Sequence, residues 1–160
     1  MSQLLEKIVI DKERKGSYLL GLEESNQIKD ITFESHTVRT PFGIEEYKNK
    51  TVINIEFTDK DHDNEVHNFY SNIVSLENMI KDNIELEDLD TYNMEFVSCI
   101  KQTGKYDPML RVNIVEGSEL PYDGCPKNTK LKAIIKLKKI WAWNDRWGLF
   151  WEIIRIDNQD

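Results

Sequence analysis

The chain has 160 residues, 39% hydrophobic and 31% charged, a balance that suits one globular domain spanning 1–160 with its own core. No apolar run approaches the ~20 residues that cross a bilayer, so no membrane partner is expected, and the opening MSQLLEKIVIDKERKG is too charged for a secretory leader. The net charge of −8 is uneven: residues 1–50 carry 8 basic and 9 acidic groups, 51–100 carry 2 and 12, and 101–160 carry 11 and 8, so a polyanion site belongs in the last third.

In chain order, residues 4–10 (LLEKIVI) and 17–22 (SYLLGL) read as short strands separated by the charged stretch 11–16. Residues 31–38 alternate weakly, and Thr40-Pro41-Phe42-Gly43 marks a turn. Residues 51–58 form a clear strand, with Ile53, Ile55 and Phe57 on one face. A helix follows over 64–84. Val66, Phe69, Ile73, Leu76 and Ile80 recur at helical spacing, and Asp63 or Asn64 caps the start. Residues 85–90 are an acidic loop. Residues 93–101 and 110–115 are expected to pair as a hairpin, and 116–125 is a loop rich in turn residues.

The end of the chain carries the strongest signal. Six lysines lie between Lys127 and Lys139 with no acid among them, and all four tryptophans follow within residues 141–151. In the strand 130–140, Leu131, Ala133, Ile135 and Leu137 share one face, while Lys130, Lys132, Lys136 and Lys138 share the other. Residues 144–148 read as the turn into a last strand, 149–156, that is apolar on both faces, and 157–160 is a short polar end. Several short strands, one inserted helix and two closing hairpins predict a mainly β protein (β-rich α+β), an OB-fold-like small barrel.

Two segments then suggest a family. TVRTPFGIEEYKNKTVINIEF (37–57) and TKLKAIIKLKKIWAWNDRWGLFWEIIRI (129–156) resemble the bacteriophage-type single-stranded-DNA-binding proteins, in the form found in large double-stranded DNA viruses of eukaryotes. The likeness rests on the Pro-Phe-Gly turn before a strand and helix, and on a closing hairpin whose features fall on Lys130, Lys132, Trp141, Gly148 and Trp151. It implies an OB fold that binds single-stranded DNA in viral replication, inside the infected cell (cytoplasm or nucleus) or packaged in the virion. Expected partners are single-stranded DNA, viral replication proteins and a second copy of the chain in a homodimer. The phage proteins carry a long acidic tail ending in an aromatic residue. Here the sequence reads Ile156-Asp157-Asn158-Gln159-Asp160, so recruitment through such a tail is not expected.

The residues assign the roles more closely. Lys130, Lys132, Lys136 and Lys138 are expected to track the phosphates, with Lys139 and Arg146 in support, because lysine and arginine displace the counterions of a polyanion. Trp143 and Trp147 flank the turn and are expected to stack bases. Trp141 continues the inward phase of Leu131 to Leu137 and is a weaker stacking candidate, while Trp151 belongs to the core. Arg111 and Lys101, with Tyr106, extend the groove.

Other chemistry finds less footing. Asp59, Asp61, Asp63 and Glu65 miss the EF-hand pattern, since Asn64 and Tyr70 stand where glycine and glutamate belong, and His62 and His67 lack helical zinc spacing. Cys99 and Cys125 match no metal or redox motif and read as reduced thiols. No Walker loop, GxGxxG, nucleophile elbow or zinc-deaminase signature occurs, so no enzyme, metal or cofactor is expected. The competing expectation is a viral structural or protein-interaction module whose contact surface is the acidic centre.

Overall fold

The computed structural model describes residues 6–159; the start of the first predicted strand and Asp160 lie outside them. The strands are β1 (Ile8–Arg14), β2 (Ser17–Glu24), β3 (Gln27–Lys29), β4 (Ile31–Glu34), β5 (Val38–Thr40), β6 (Ile44–Tyr47), β7 (Lys50–Glu56), β8 (Glu95–Val97), β9 (Ile100–Lys101), β10 (Met109–Ile114), β11 (Thr129–Trp143) and β12 (Arg146–Gln159). Helix α1 (Asn64–Asn83) sits between β7 and β8.

Five strands close a barrel. β5 pairs antiparallel with β7 at Arg39 and Glu56, and β7 pairs antiparallel with β10. β10 meets β12 in parallel at Asn113 and Glu152; β12 pairs with β11, and β11 returns to β5. Numbered along the chain, the barrel strands run 1-2-3-5-4-1 and close without a free edge, so the fold is an OB-like small barrel. The inward residues are those that the alternation selects: Ile53, Ile55 and Phe57 from the β7 segment, and Leu131, Ile135 and Leu137 from β11, all fully buried. Burying each such side chain contributes roughly 1.5–3 kcal/mol.

Helix α1 starts at Asp63, whose carboxylate accepts from the backbone N–H of Glu65 and Val66. Its apolar stripe, Val66, Phe69, Ile73, Leu76 and Ile80, joins the barrel core, and Phe69 packs on Phe57 with ring centroids 5.5 Å apart. The buried Glu77 also lies on this side. Its carboxylate accepts from the Ser98 hydroxyl at 2.5 Å and from the Cys99 N–H, tying the helix to the β8–β9 link. Burial raises the Glu77 pKa, against the opposing pull of these hydrogen bonds.

Four expectations need correction. The charged stretch 11–16 does not separate two strands: Asp11 to Arg14 belong to β1, and the turn is confined to Lys15 and Gly16. Of the predicted 93–101 hairpin strand, only Ile100–Lys101 pairs with β10, whereas Glu95–Val97 runs parallel to β12. The closing turn is Asn144-Asp145 alone, both in the left-handed region (φ 50° and 60°), as a two-residue type I′ hairpin demands. β12 therefore begins at Arg146, and Trp147 is a strand residue. Finally, β11 carries a bulge between Leu137 and Lys139. There β11 exchanges one neighbour, β4, for another, β2. The extra residue, Lys138, reverses the alternation, so Ile140 is buried and Lys139 and Trp141 are turned outward.

Candidate nucleic-acid interface

A groove of about 710 Å³ crosses the outer face of β7, β10, β12 and β11. The β6–β7 turn bounds it at one end and the β11–β12 hairpin tip at the other. Eight lysines and arginines line it, and no aspartate or glutamate among the described residues does. They come from four parts of the chain: Arg14 and Lys15 at the end of β1 and its turn, Lys48 and Lys50 at the β6–β7 turn and the start of β7, Lys101 and Arg111 from β9 and β10, and Lys139 and Arg146 from the closing hairpin. Two have an acid within ion-pair distance, Arg14 with Glu13 at 3.0 Å and Arg146 with Glu95 at 3.8 Å. Among the described residues the other six have none. Six cations without an ion-pair partner on one concave face, in a protein of net charge −8, are a local concentration of positive charge.

Aromatic rings are interleaved with these cations. The Arg111 guanidinium lies 4.1 Å over the Tyr47 ring, and the Lys48 ammonium lies 5.3 Å from it. Arg111 first, then Lys48, stabilises the phenolate and holds the Tyr47 hydroxyl below the usual tyrosine range. The Lys50 and Lys139 ammonium groups lie 5.3 and 5.1 Å from the centre of Phe150. Trp141 and Trp143 form the opposite wall. Trp143, at the hairpin tip, is 74% exposed and forms the ridge between this groove and a second cleft of about 680 Å³ near Leu89, Asp90, Asn93 and Met94.

Gly148 explains how Trp141 fits. A Cβ there would stand 2.7 Å from the Val97 carbonyl oxygen and 3.0 Å from the Trp141 indole nitrogen. The missing methyl lets the indole lie against β12, so it is half-buried with its outer part in the groove.

The predicted site residues divide. Lys139, Arg146, Arg111, Trp141 and Trp143 come together in the groove. Lys130, Lys132, Lys136 and Lys138 do not line it. Lys130 and Lys132 lie far along β11, opposite Gln159 and Asp157 of β12. Lys136 is held between Asp30 at 3.8 Å and Glu152 at 3.7 Å, and its side chain is only 20% exposed. Lys138 sits at the bulge, where with Lys139 it helps keep the Glu13 carboxyl below its usual range, after the Ser17 hydroxyl and Arg14. Trp147 is not a stacking surface: it is 1% exposed, edge-on to Phe96 at 4.8 Å, because the short turn puts it on the inward face. Trp151 is core, as its apolar strand implies. Tyr106 packs on Phe42 and faces Arg39, beside the buried Glu56, rather than the groove. Lys101 does line it.

Several groove residues carried no local signal. Tyr47, Lys48 and Lys50 surround a turn whose Lys48 and Asn49 are both left-handed (φ 49° and 64°), which brings them over β10. Phe150 sits in a strand that reads as covered on both faces. Arg14, Lys15, Lys48 and Lys50 are isolated charges until the barrel closes.

Beneath the groove, the Cys99 thiol is pushed up to about 12 by burial and then by the Glu77 charge, and it donates to the Leu149 carbonyl oxygen at 3.1 Å. Such a thiol is a poor nucleophile. Among the described residues no group of three or more His, Cys, Asp or Glu side chains converges in a metal-holding arrangement, and no helix is long and apolar enough to cross a membrane. No protein-family model matches the sequence, and no curated protein matches it.

Proposed function

We propose that this barrel binds single-stranded nucleic acid, in the first instance single-stranded DNA, along the groove and without strong sequence preference. The observation that carries the reading is the groove itself: eight cationic and no acidic lining residues, next to an indole 74% exposed, on a protein of net charge −8. Cations neutralise phosphates, and an open indole stacks any base, so the pair of features suits a single strand and reads no sequence. The position supports it too. The groove overlies the second and third barrel strands, between the 1–2 connection and the 4–5 turn, the region that OB barrels use for oligonucleotides.

The resemblance of 37–57 and 129–156 to the bacteriophage-type single-stranded-DNA-binding proteins supports a non-catalytic role in viral DNA replication, recombination or repair, within the infected cell. The test is tryptophan fluorescence during titration with single-stranded and duplex oligonucleotides at two salt concentrations. Single strands should quench the signal, duplex less so, and salt should reverse the change. A flat trace with both ligands at low salt would overturn the reading.

A second reading, a structural or protein-interaction module, rests on the acidic centre. Asp82, Glu85, Glu87 and Asp90 at and after the end of α1 are all exposed. Under that reading, oligonucleotide changes nothing at low salt, and a basic partner binds instead.

A further inference from the structure

Resting on the nucleic-acid reading, we infer that the groove separates its two tasks: Tyr47 and Phe150 are buttresses for two phosphate cradles, and base stacking is left to Trp141 and Trp143. An exposed aromatic ring in a basic groove would ordinarily be assigned to stacking. Two observations argue otherwise for these rings.

Phe150 is flanked by two ammonium groups, those of Lys50 and Lys139. Both lie within 5.3 Å of one ring centre, so they cannot be farther apart than twice that distance. The negative face of the ring offsets part of their mutual repulsion. A base stacked on Phe150 would have to displace them, whereas a phosphate group beside the ring would meet two cations already in place. Tyr47 is arranged in the same way. Its ring is covered by Arg111 at 4.1 Å, and the Lys48 ammonium lies 5.3 Å from the ring centre. The Arg111 Nε is buried without a hydrogen-bond partner, and no carboxylate of the described residues lies within ion-pair distance of the guanidinium. The buried Nε is closed to a ligand, but the other guanidinium N–H groups face the groove with no carboxylate beside them, a fork that suits an incoming phosphate.

The two cradles sit on adjoining strands. Lys50 and Tyr47 flank the turn into β7, Arg111 is on β10, Phe150 is on β12 and Lys139 is on β11. Neighbouring strands are about 4.8 Å apart, so the cradles span a distance that successive phosphates of one strand can bridge. Trp141 and Trp143 lie beyond Lys139 on β11, where the bases of the same strand would turn.

The experiment compares Phe150→Leu, Lys139→Gln and Trp143→Leu in the full chain, with two probes over a salt series. One probe is oligothymidylate. The other is an abasic deoxyribose-phosphate oligomer, which presents phosphates and no bases. Phe150→Leu and Lys139→Gln should each lower the slope of log K against log salt by roughly 0.7, the value for one phosphate contact, with both probes. Trp143→Leu should weaken oligothymidylate about tenfold or more, leave its salt slope alone and leave the abasic probe unaffected. The inference is overturned if Phe150→Leu weakens only the base-carrying probe at an unchanged slope, for then Phe150 stacks. It is also overturned if Lys139→Gln leaves the slope unchanged while the wild type binds in a salt-dependent way. If the wild type binds neither probe at low salt, the parent reading fails instead.

Discussion

The two halves of β11 both present lysine on the outer face and meet opposite fates. From Thr129 to Leu137 lysines recur on the outer face, yet Lys130 and Lys132 lie too far along the strand to line the groove and Lys136 is neutralised by Asp30 and Glu152. From Lys139 to Trp143 the charge is sparser, yet Lys139, Trp141 and Trp143 all reach the groove. Between the halves lies one extra residue at the bulge. A count of lysines along a strand therefore says little about a phosphate track; the face presented and the nearest carboxylates decide it.

The contrast can be broken in graded steps. The largest effect is expected from the two tryptophans on either side of the Asn144-Asp145 turn. Trp147→Ala empties a core site and should cost about 3–5 kcal/mol of folding stability, read from denaturant unfolding. Trp143→Ala should change stability by less than about 0.5 kcal/mol, because the ring is largely exposed. Its loss should instead weaken single-strand binding by ~1–3 kcal/mol, read by titration. If the two effects were exchanged, the assignment of core and platform would be reversed.

Next comes the pairing of halves. Arg111→Gln combined with Lys139→Gln should lower the salt slope by roughly 1.4 and low-salt affinity by more than about tenfold. Lys130→Gln combined with Lys132→Gln removes the same formal charge and should lower affinity by no more than the long-range share, about twofold. Filter binding across a salt series distinguishes them, and equal losses would restore the lysine row as the phosphate track. Lys136→Gln should do least to binding, since its charge is already compensated by Asp30 and Glu152.

The smallest effect concerns the helix that carries the acidic surface. Burial raises the Glu77 pKa, so its folded value lies above its unfolded one. Its stabilising contribution is complete in acid, below the ordinary glutamate range, and is lost as pH rises through the elevated folded value. Melting temperatures of the wild type relative to Glu77→Gln should therefore fall from about pH 4 to pH 7. A difference that rises with pH would contradict the burial effect.

How much of this was legible in the sequence follows from the same particulars. The β7 face of Ile53, Ile55 and Phe57, the α1 stripe and its Asp63 cap came from plain periodicity, and a small barrel with one helix follows from them. Trp141 did not, because alternation read straight through residue 138 puts it inside, and no residue type announces a bulge. Trp147 departs from its expected place for a related reason: the turn-forming residues 144–148 suggest a five-residue turn, whereas Asn144 and Asp145 suffice, since both tolerate left-handed backbone. Half of the groove, from Arg14 to Lys50, becomes visible only when the barrel brings distant turns together. Arg111 and Lys101 were legible as cations, but the Tyr47 ring over Arg111 was not.

Gly148 and Trp141 bear on how variants of this protein can change. The indole occupies the volume that a side chain at position 148 would need, and the Val97 carbonyl leaves no retreat on the other side. An alanine at 148 would press on both the ring and the Val97 carbonyl and so alter the groove wall without touching a single charge. A smaller residue at 141 would relieve only the first of these contacts, so the backbone of β8 holds position 148 to glycine whatever stands at 141.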